Sequence, residues 1–207
     1  MLIPIPDSVS TDSLHPTVCI IGAGPAGITL ACELDGEPFD VLLLEAGETG
    51  VSGGSPEDYR GTAENPHPNP AEFRRFCLGG SSSVWGGRCV PYDPIDFERR
   101  DYVSNSGWPL SFADVAKHYP RAMEYCDAGR FDFSTNGSIA RPAATIPGLA
   151  QHRDLQTDCI ERYSLPTHFG ARYRKKLQTS RNVTTMLQSR CIAINKRQGD
   201  DLVESIV

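Results

Sequence analysis

Three glycines and one acid carry the first chemical signal. Gly22, Gly24 and Gly27 stand at G-x-G-x-x-G spacing in Gly22-Ala23-Gly24-Pro25-Ala26-Gly27, and Glu45 follows 18 residues after Gly27. Gly22 permits a tight turn. Gly24 has no side chain, so a pyrophosphate can approach the backbone, and Gly27 lets a helix pack closely on a sheet. Pro25 suits the first position of a helix, where a missing N–H costs little. Such a helix aims unpaired N–H groups and the positive end of its dipole at phosphates. Glu45 is placed to accept a hydrogen bond from a ribose hydroxyl. Ala46 and Gly47 follow it rather than Arg, so a ribose 2′-phosphate would meet a bare carboxylate. That argues against NADP. A glycine-rich turn with no ligand is the competing reading of the motif alone.

A second stretch, Glu72 to Val90, is EFRRFCLGGSSSVWGGRCV. Two glycine pairs, Gly79-Gly80 and Gly86-Gly87, bracket Ser81, Ser82, Ser83 and Trp85. Hydroxyls and exposed backbone N–H groups can cradle phosphate or ribityl oxygens, and Trp85 can line a ring system. The alternative is a low-complexity loop with one buried Trp. No Ser-His-Asp order, metal-ligand spacing or carboxylate pair stands out. The five histidines (His15, His67, His118, His152 and His168) occupy no recognisable catalytic context. No catalytic base and no metal site is therefore assigned.

The elements that must position these residues are legible nearby. The apolar run Val18 to Ile21 reads as a strand ending at Gly22. A helix is expected from Pro25 to Leu34, closed by Asp35-Gly36, and a second strand from Phe39 to Leu44. Strand, glycine turn, helix, strand and acid make a dinucleotide-binding βαβ unit. Residues 1–16 read as a leader arm and 47–70 as a long polar loop. Trp108-Pro109 precedes a helix that Ser111 caps, with Asp114 in its first turn. Pro120 divides that segment into two helices. Phe112, Val115, Tyr119, Met123 and Cys126 read as its core face. A helix is expected over 151–163, and a solvated basic face at Arg172, Arg174, Lys175, Lys176 and Arg181. Strands are expected over 183–194 and from Leu202 to Val207, with a turn at 198–201.

Composition is ordinary for a soluble globular protein: 207 residues, 39% hydrophobic, 22% charged, net charge −6. Nothing recommends nucleic acid or an anionic membrane as partner. Seven dispersed cysteines suit a reducing compartment, with Cys19 and Cys32 as small buried hydrophobes. With no basic n-region and no run of membrane-spanning length, a cytoplasmic location is expected. Asn136-Gly-Ser and Asn182-Val-Thr match the glycosylation pattern but mean little without a secretory signal.

The order GAGPAG, Glu45, LGGSSSVWGG, DPIDF and GWP resembles the N-terminal part of the glucose–methanol–choline (GMC) flavoprotein oxidoreductases, nearest the branch of pyranose oxidase and the sugar dehydrogenases. The resemblance is close over 17–125 and looser beyond. It implies an α/β, Rossmann-like FAD-binding fold, incomplete here, with the start of a substrate-side region. It divides the chain into a βαβ unit with its Gly/Ser loop (14–100), a helical insert (101–181) and returning strands (182–207). It implies FAD on Gly22 to Gly27, Glu45 and Ala46. Gly79, Gly80, Ser81, Ser82, Ser83, Trp85 and Gly86 would lie on the flavin side, and the strand backbone near Cys191 beside the adenine. Where some relatives carry a flavin-linking His, this sequence has Val84, so the flavin is expected to be non-covalent. The implied activity is oxidation of a CH–OH donor, an alcohol or sugar, by hydride transfer to flavin. The family's catalytic His and its partner lie near the C-terminus of longer chains. This chain is therefore expected to supply part of the FAD site and to be inactive alone. A FAD-binding module without turnover, and another FAD or NAD oxidoreductase sharing only the βαβ unit, are the alternatives.

Overall fold

The computed structural model describes residues 2–4, 14–50, 61, 67–135, 159–199 and 202–207. Within them the chain forms two compact units, one from residues 1–85 with 167–207 and one from 86–166.

The first unit is built on a four-stranded parallel sheet. Strands β1 (Leu2–Pro4), β2 (Val18–Ile21), β3 (Val41–Leu44) and β6 (Val183–Leu187) lie in the order β1-β6-β3-β2. Val41 aligns with Val18 on one side and Val183 on the other. Helix α1 (Pro25–Glu33) connects β2 to β3 and buries Ile28, Ala31 and Cys32, and a single turn, α2 (Pro70–Phe73), follows later in the unit. Helix α6 (Phe169–Thr179) packs on α1 and β6, burying Phe169, Gly170 and Leu177. Leu43, Ile28 and Phe169 are almost wholly enclosed. Each such side chain contributes about 1.5–3 kcal/mol by leaving water.

The expected strand–turn–helix–strand order is present, and the fold class is α/β and Rossmann-like. Several details differ from the sequence reading. The supposed leader supplies β1, which pairs in parallel with β6. Pro4 is tolerated there because β1 is an edge strand, where a missing N–H breaks no ladder. Helix α6 belongs to the first unit, whereas the expected insert over 101–181 contained it. Its anchor is tight backbone contact rather than an apolar pattern. A Cβ on Gly170 would overlap the carbonyl of Leu78.

The basic face of α6 is only partly solvated. Arg174 donates to the carbonyl of Thr49 at 3.1 Å and Lys176 to that of Cys32 at 2.9 Å. The expected strand over 183–194 splits into β6 and β7 (Ile194–Lys196), and β7 pairs antiparallel with β8 (Val203–Ile206).

Asn182 seals the far end of α1. Its carbonyl accepts from Gly36 N–H at 2.9 Å, and its amide donates to the carbonyls of Leu34, Glu37 and Phe39. An amide committed in this way is no glycan acceptor. Asn136, the other match, lies outside the described residues.

The second unit centres on aromatic rings. It contains β4 (Arg88–Cys89), α3 (Pro94–Phe97), α4 (Phe112–Ala116), α5 (Tyr119–Cys126) and β5 (Arg162–Tyr163). Ser111 and Asp114 form the expected capping box of α4, and Pro120 opens α5. A second box, Asp93 with Asp96, turns DPIDF into the short helix α3. Tyr92, Trp108, Phe97, Phe112, Tyr119 and Phe131 touch in that succession, with centroids 5.2–6.4 Å apart. Each such pair adds about 0.5–1.5 kcal/mol beyond its buried area. The helix expected over 151–163 lies outside the described residues up to 158. From 159 the chain is extended, and Arg162 pairs with Cys89.

Candidate dinucleotide-binding site

The site grows from the carboxyl end of β2. Gly22 turns the chain with φ +97°, a conformation that glycine adopts without strain. Its N–H donates to Leu44 O at 2.8 Å, which ties the turn to the neighbouring strand. Gly24 precedes α1 in extended geometry, and Pro25 occupies the first turn. The first helical bond runs from Ile28 N–H to Gly24 O at 2.9 Å. The N–H groups of Ala26 and Gly27 therefore stand outside the helical ladder at the positive end of α1.

The second and third glycines of the motif do different work. A Cβ on Gly27 would overlap Gly22 O, so this glycine sets the helix against the turn. A Cβ on Gly24 would meet nothing within 4 Å. The space beside Gly24 is open, which is what an approaching phosphate requires.

Glu45 directly follows β3 and is 5% exposed. One carboxylate oxygen accepts from Ala23 N–H at 2.8 Å and the other from Gly47 N–H at 2.9 Å. Burial pushes its carboxyl above the ordinary value, and the backbone donors of Gly47, Ala23 and Ala46 oppose that rise. Each carboxylate oxygen keeps further acceptor capacity for a sugar hydroxyl.

The Gly/Ser segment packs against this turn. Gly79 N–H donates to Ala23 O at 2.8 Å. Gly79 and Gly80 both have positive φ, and residues Gly80–Ser83 form a 3-10 turn. A Cβ on Gly80 would lie 3.1 Å from the Cα of Gly24. The two glycine-rich segments, far apart in sequence, thus meet backbone to backbone.

The serines divide. Ser81 is exposed. Ser83 donates to Gly80 O at 2.9 Å. Ser82 is buried, donates to Gly79 O at 2.6 Å and accepts from Phe169 N–H at 3.1 Å. Its hydroxyl holds the turn to α6. Trp85 is half-buried, and its indole N–H donates to Thr167 O at 3.1 Å. Gly86 opens the second unit.

The backbone beside Glu45 after β6 is that of Gln188 and Ser189. Gln188 N–H donates to Gly47 O at 2.9 Å and Ser189 N–H to Glu45 O at 2.8 Å. Cys191 lines a groove of about 1130 Å³ between the sheet and the β7–β8 hairpin, shared with Cys19, Ile21 and Leu44. Cys19 is accordingly only half-buried, unlike Cys32.

The sequence reading missed Gly47 and Gly170. Both are glycines because a Cβ would overlap a backbone carbonyl, of Phe76 and Leu78 respectively. Their isolated positions carry no spacing signal. His168 caps α6 by accepting from Ala171 N–H at 3.2 Å, which explains its presence without catalysis. Among the described residues no group of His, Cys, Asp and Glu could hold a metal ion, and no helix is long and apolar enough to cross a membrane.

A parallel sheet whose first βαβ turn offers N–H groups and open space to an anion defines the Rossmann-like dinucleotide-binding class. Residues 20–73 match the model of the NAD(P)-binding Rossmann-like domain. Two known proteins are similar over longer stretches. 6'''-Hydroxyparomomycin C oxidase of Streptomyces lividus is 28% identical over 115 residues, 49% of this chain and 21% of that protein. A fungal aryl-alcohol oxidase shares the fold at TM-score 0.52 and 16% identity, over 92% of this chain and 42% of its own. The chain thus spans less than half the length of either. These likenesses support a Rossmann-like dinucleotide-binding part of an oxidoreductase.

Proposed function

We propose that this chain binds FAD non-covalently as the nucleotide-binding part of an oxidoreductase acting on the CH–OH group of an alcohol or sugar. The observation that carries the reading is the meeting of the two glycine turns. Gly80 lies against Gly24 at the N-terminus of α1, with Glu45 at the end of the adjacent strand. A plain nucleotide-binding βαβ unit needs only the first turn. A second backbone-lined turn beside the phosphate position suits a cofactor that continues past the pyrophosphate into a second ring system.

The residues divide the work by type. Ala26 and Gly27 N–H groups and the α1 dipole would hold the pyrophosphate. Glu45 would accept from the ribose hydroxyls. Gly79, Gly80 and Ser81 would border the flavin side, and Trp85, fixed through Thr167, would flank it. Val84 offers no nucleophile for a covalent flavin link. FAD, when bound, supplies the hydride acceptor. No described residue is assigned as the base that takes the hydroxyl proton.

A second reading is supported by the match of residues 20–73 to an NAD(P)-binding domain: a nicotinamide enzyme sharing only the βαβ unit. Titration of the chain with FAD, NAD and NADP, followed by calorimetry and flavin fluorescence, separates the two. FAD should bind, be released completely on denaturation, and fail to bind the Gly24→Val variant. Binding of NAD without FAD would overturn the flavin assignment.

A further inference from the structure

Beyond β3 the ladder to β6 slips by one residue. Glu45 N–H donates to Met186 O at 2.8 Å. A regular parallel ladder would return the next bond from Gln188 N–H to Glu45 O. That bond comes instead from Ser189 N–H, at 2.8 Å, so Gln188 is an extra residue and forms a bulge. Its φ is +56°. The other described non-glycine residues with positive φ are Asn105 and Asp127, types that visit the left-handed region readily. Glutamine has no such preference. A residue of its kind persists there only where the surroundings hold it.

The bulge decides what the freed N–H can reach. Gln188 N–H donates to Gly47 O at 2.9 Å, and its side-chain amide donates to Glu48 Oε1 at 3.0 Å. Gly47 and Glu48 are thus held from one position. Both are also tied to the chain ahead of the Gly/Ser turn. A Cβ on Gly47 would overlap Phe76 O, and Glu48 O accepts from Leu78 N–H at 2.8 Å. Between these restraints the Gly47 N–H meets Glu45 Oε1 at 2.9 Å.

We propose that the bulge at Gln188 is a positioning device for the nucleotide: it fixes the Gly47 N–H that orients the Glu45 carboxylate, and so sets how strongly the site distinguishes a ribose from a sugar without hydroxyls. The inference rests on the reading of Glu45 as the ribose acceptor. Gln188 is a positioning residue and acts through the Gly47 turn. A carboxylate held by the N–H groups of both Ala23 and Gly47 presents its remaining lone pairs in one direction. Released from Gly47 it would rotate, and ligand binding would have to order it again.

The backbone conformation is the main requirement, ahead of the amide. Glycine adopts a positive φ freely and keeps the N–H. Valine, branched at Cβ, does not adopt it. The two substitutions therefore have opposite consequences at one position.

The test measures, by calorimetry on the whole chain, the affinities for ADP and for 2′,3′-dideoxy-ADP, which lacks both ribose hydroxyls. Their ratio reads the Glu45 contact. Wild type should prefer ADP by about tenfold or more, the scale of a hydrogen bond to a charged group. Glu45→Ala should remove the preference. Gln188→Gly should keep the wild-type ratio. Gln188→Val should reduce it to within about threefold, with dideoxy-ADP bound nearly as in wild type. A folded Gln188→Val that keeps the wild-type ratio overturns the proposal. So does an equal loss for both nucleotides, which is what a purely structural role gives. A second measurement needs no variant. In the nucleotide-free wild-type chain the Gly47 amide should exchange with solvent at least about tenfold more slowly than an unprotected amide. Exchange at the unprotected rate overturns the proposal whether or not the valine variant folds. A wild-type chain that binds neither nucleotide, or both equally, overturns the ribose reading of Glu45 and the proposal with it.

Discussion

Glu45 and Ala23 are joined by a hydrogen bond of 2.8 Å that runs from the backbone of the first glycine turn to a carboxylate at the end of the next strand. The acid is therefore part of the turn before any ligand arrives. It holds the backbone N–H of Ala23 with one oxygen and that of Gly47 with the other. Glu45→Ala would remove a ribose partner and also strand two N–H groups. We expect FAD affinity to fall by ~1.5–3 kcal/mol and apo stability by ~1–3 kcal/mol. Calorimetric titration and urea unfolding measure the two losses separately. Unchanged affinity in a folded variant would remove Glu45 from the ribose site.

The same carboxylate sets a pH dependence. Burial raises its pKa in the folded chain. An acid with a raised folded-state pKa binds its proton more tightly folded than unfolded. Its contribution to stability is therefore lost as pH rises from the ordinary carboxylate value through the raised one, and recovered as pH falls. Glu45→Gln cannot titrate. Between about pH 7 and pH 4, around the ordinary Glu value, the melting temperature of wild type minus that of Glu45→Gln should move in favour of wild type as pH falls. A difference that stays flat, or moves the other way, would show that burial does not dominate at this site.

Gly24 and Gly27 should separate under substitution. A Cβ at Gly24 meets nothing within 4 Å, whereas one at Gly27 overlaps Gly22 O. Gly24→Val should keep the fold and lose the cofactor, because its side chain fills the phosphate space. Gly27→Ala should cost ~3 kcal/mol or more, since α1 must move off the turn. Melting curves and flavin retention on the pair of variants give the comparison. Loss of folding in Gly24→Val with retention of both properties in Gly27→Ala would reverse the assignment.

The parts of this site that were legible in the sequence are those where chemistry and local order coincide. Val18 to Glu45 holds its glycines, helix and acid in one continuous stretch, so spacing alone places them. The capping box at Ser111 and Asp114 is local in the same way. Long-range packing left no such mark. Leu2–Pro4 is too short and proline-rich to read as a strand, and only its pairing with β6 makes it one. Ser82 reads as a ligand hydroxyl, but the partner that claims it, Phe169, lies 87 residues away. Cys191 was placed beside the adenine by family likeness alone; that Gln188 and Ser189 bond the backbone around Glu45 is a long-range pairing no local pattern marks. Asn182 matches only a pattern that means little in the sequence; its role shows in the four backbone groups around it.

Gly170 offers the sharpest test of how α6 supports the site. It opens the helix at the point where Leu78 and Gly79 pass beneath it. A Cβ there would overlap Leu78 O and lie 3.1 Å from Gly79 N. A Cβ on Gly79 would in turn crowd Gly170 N. Both obstacles are backbone, so no side-chain rotation relieves them. Gly170→Ala must lift α6 or displace the Gly79-Gly80 turn. The lift would break the Phe169 N–H bond to Ser82, and the displacement would break the Gly79 N–H bond to Ala23. We expect a loss of ~3 kcal/mol or more from overpacking. In whatever fraction stays folded, FAD affinity should fall as well, although Gly170 touches no proposed ligand position. Unfolding by urea measures the first effect, and calorimetry at a temperature where the variant is folded measures the second. A variant as stable as wild type would mean that α6 does not press on the turn. A destabilised variant with wild-type FAD affinity would show that the Gly79-Gly80 turn is scaffold alone, and would take Gly79, Gly80 and Ser81 out of the flavin site.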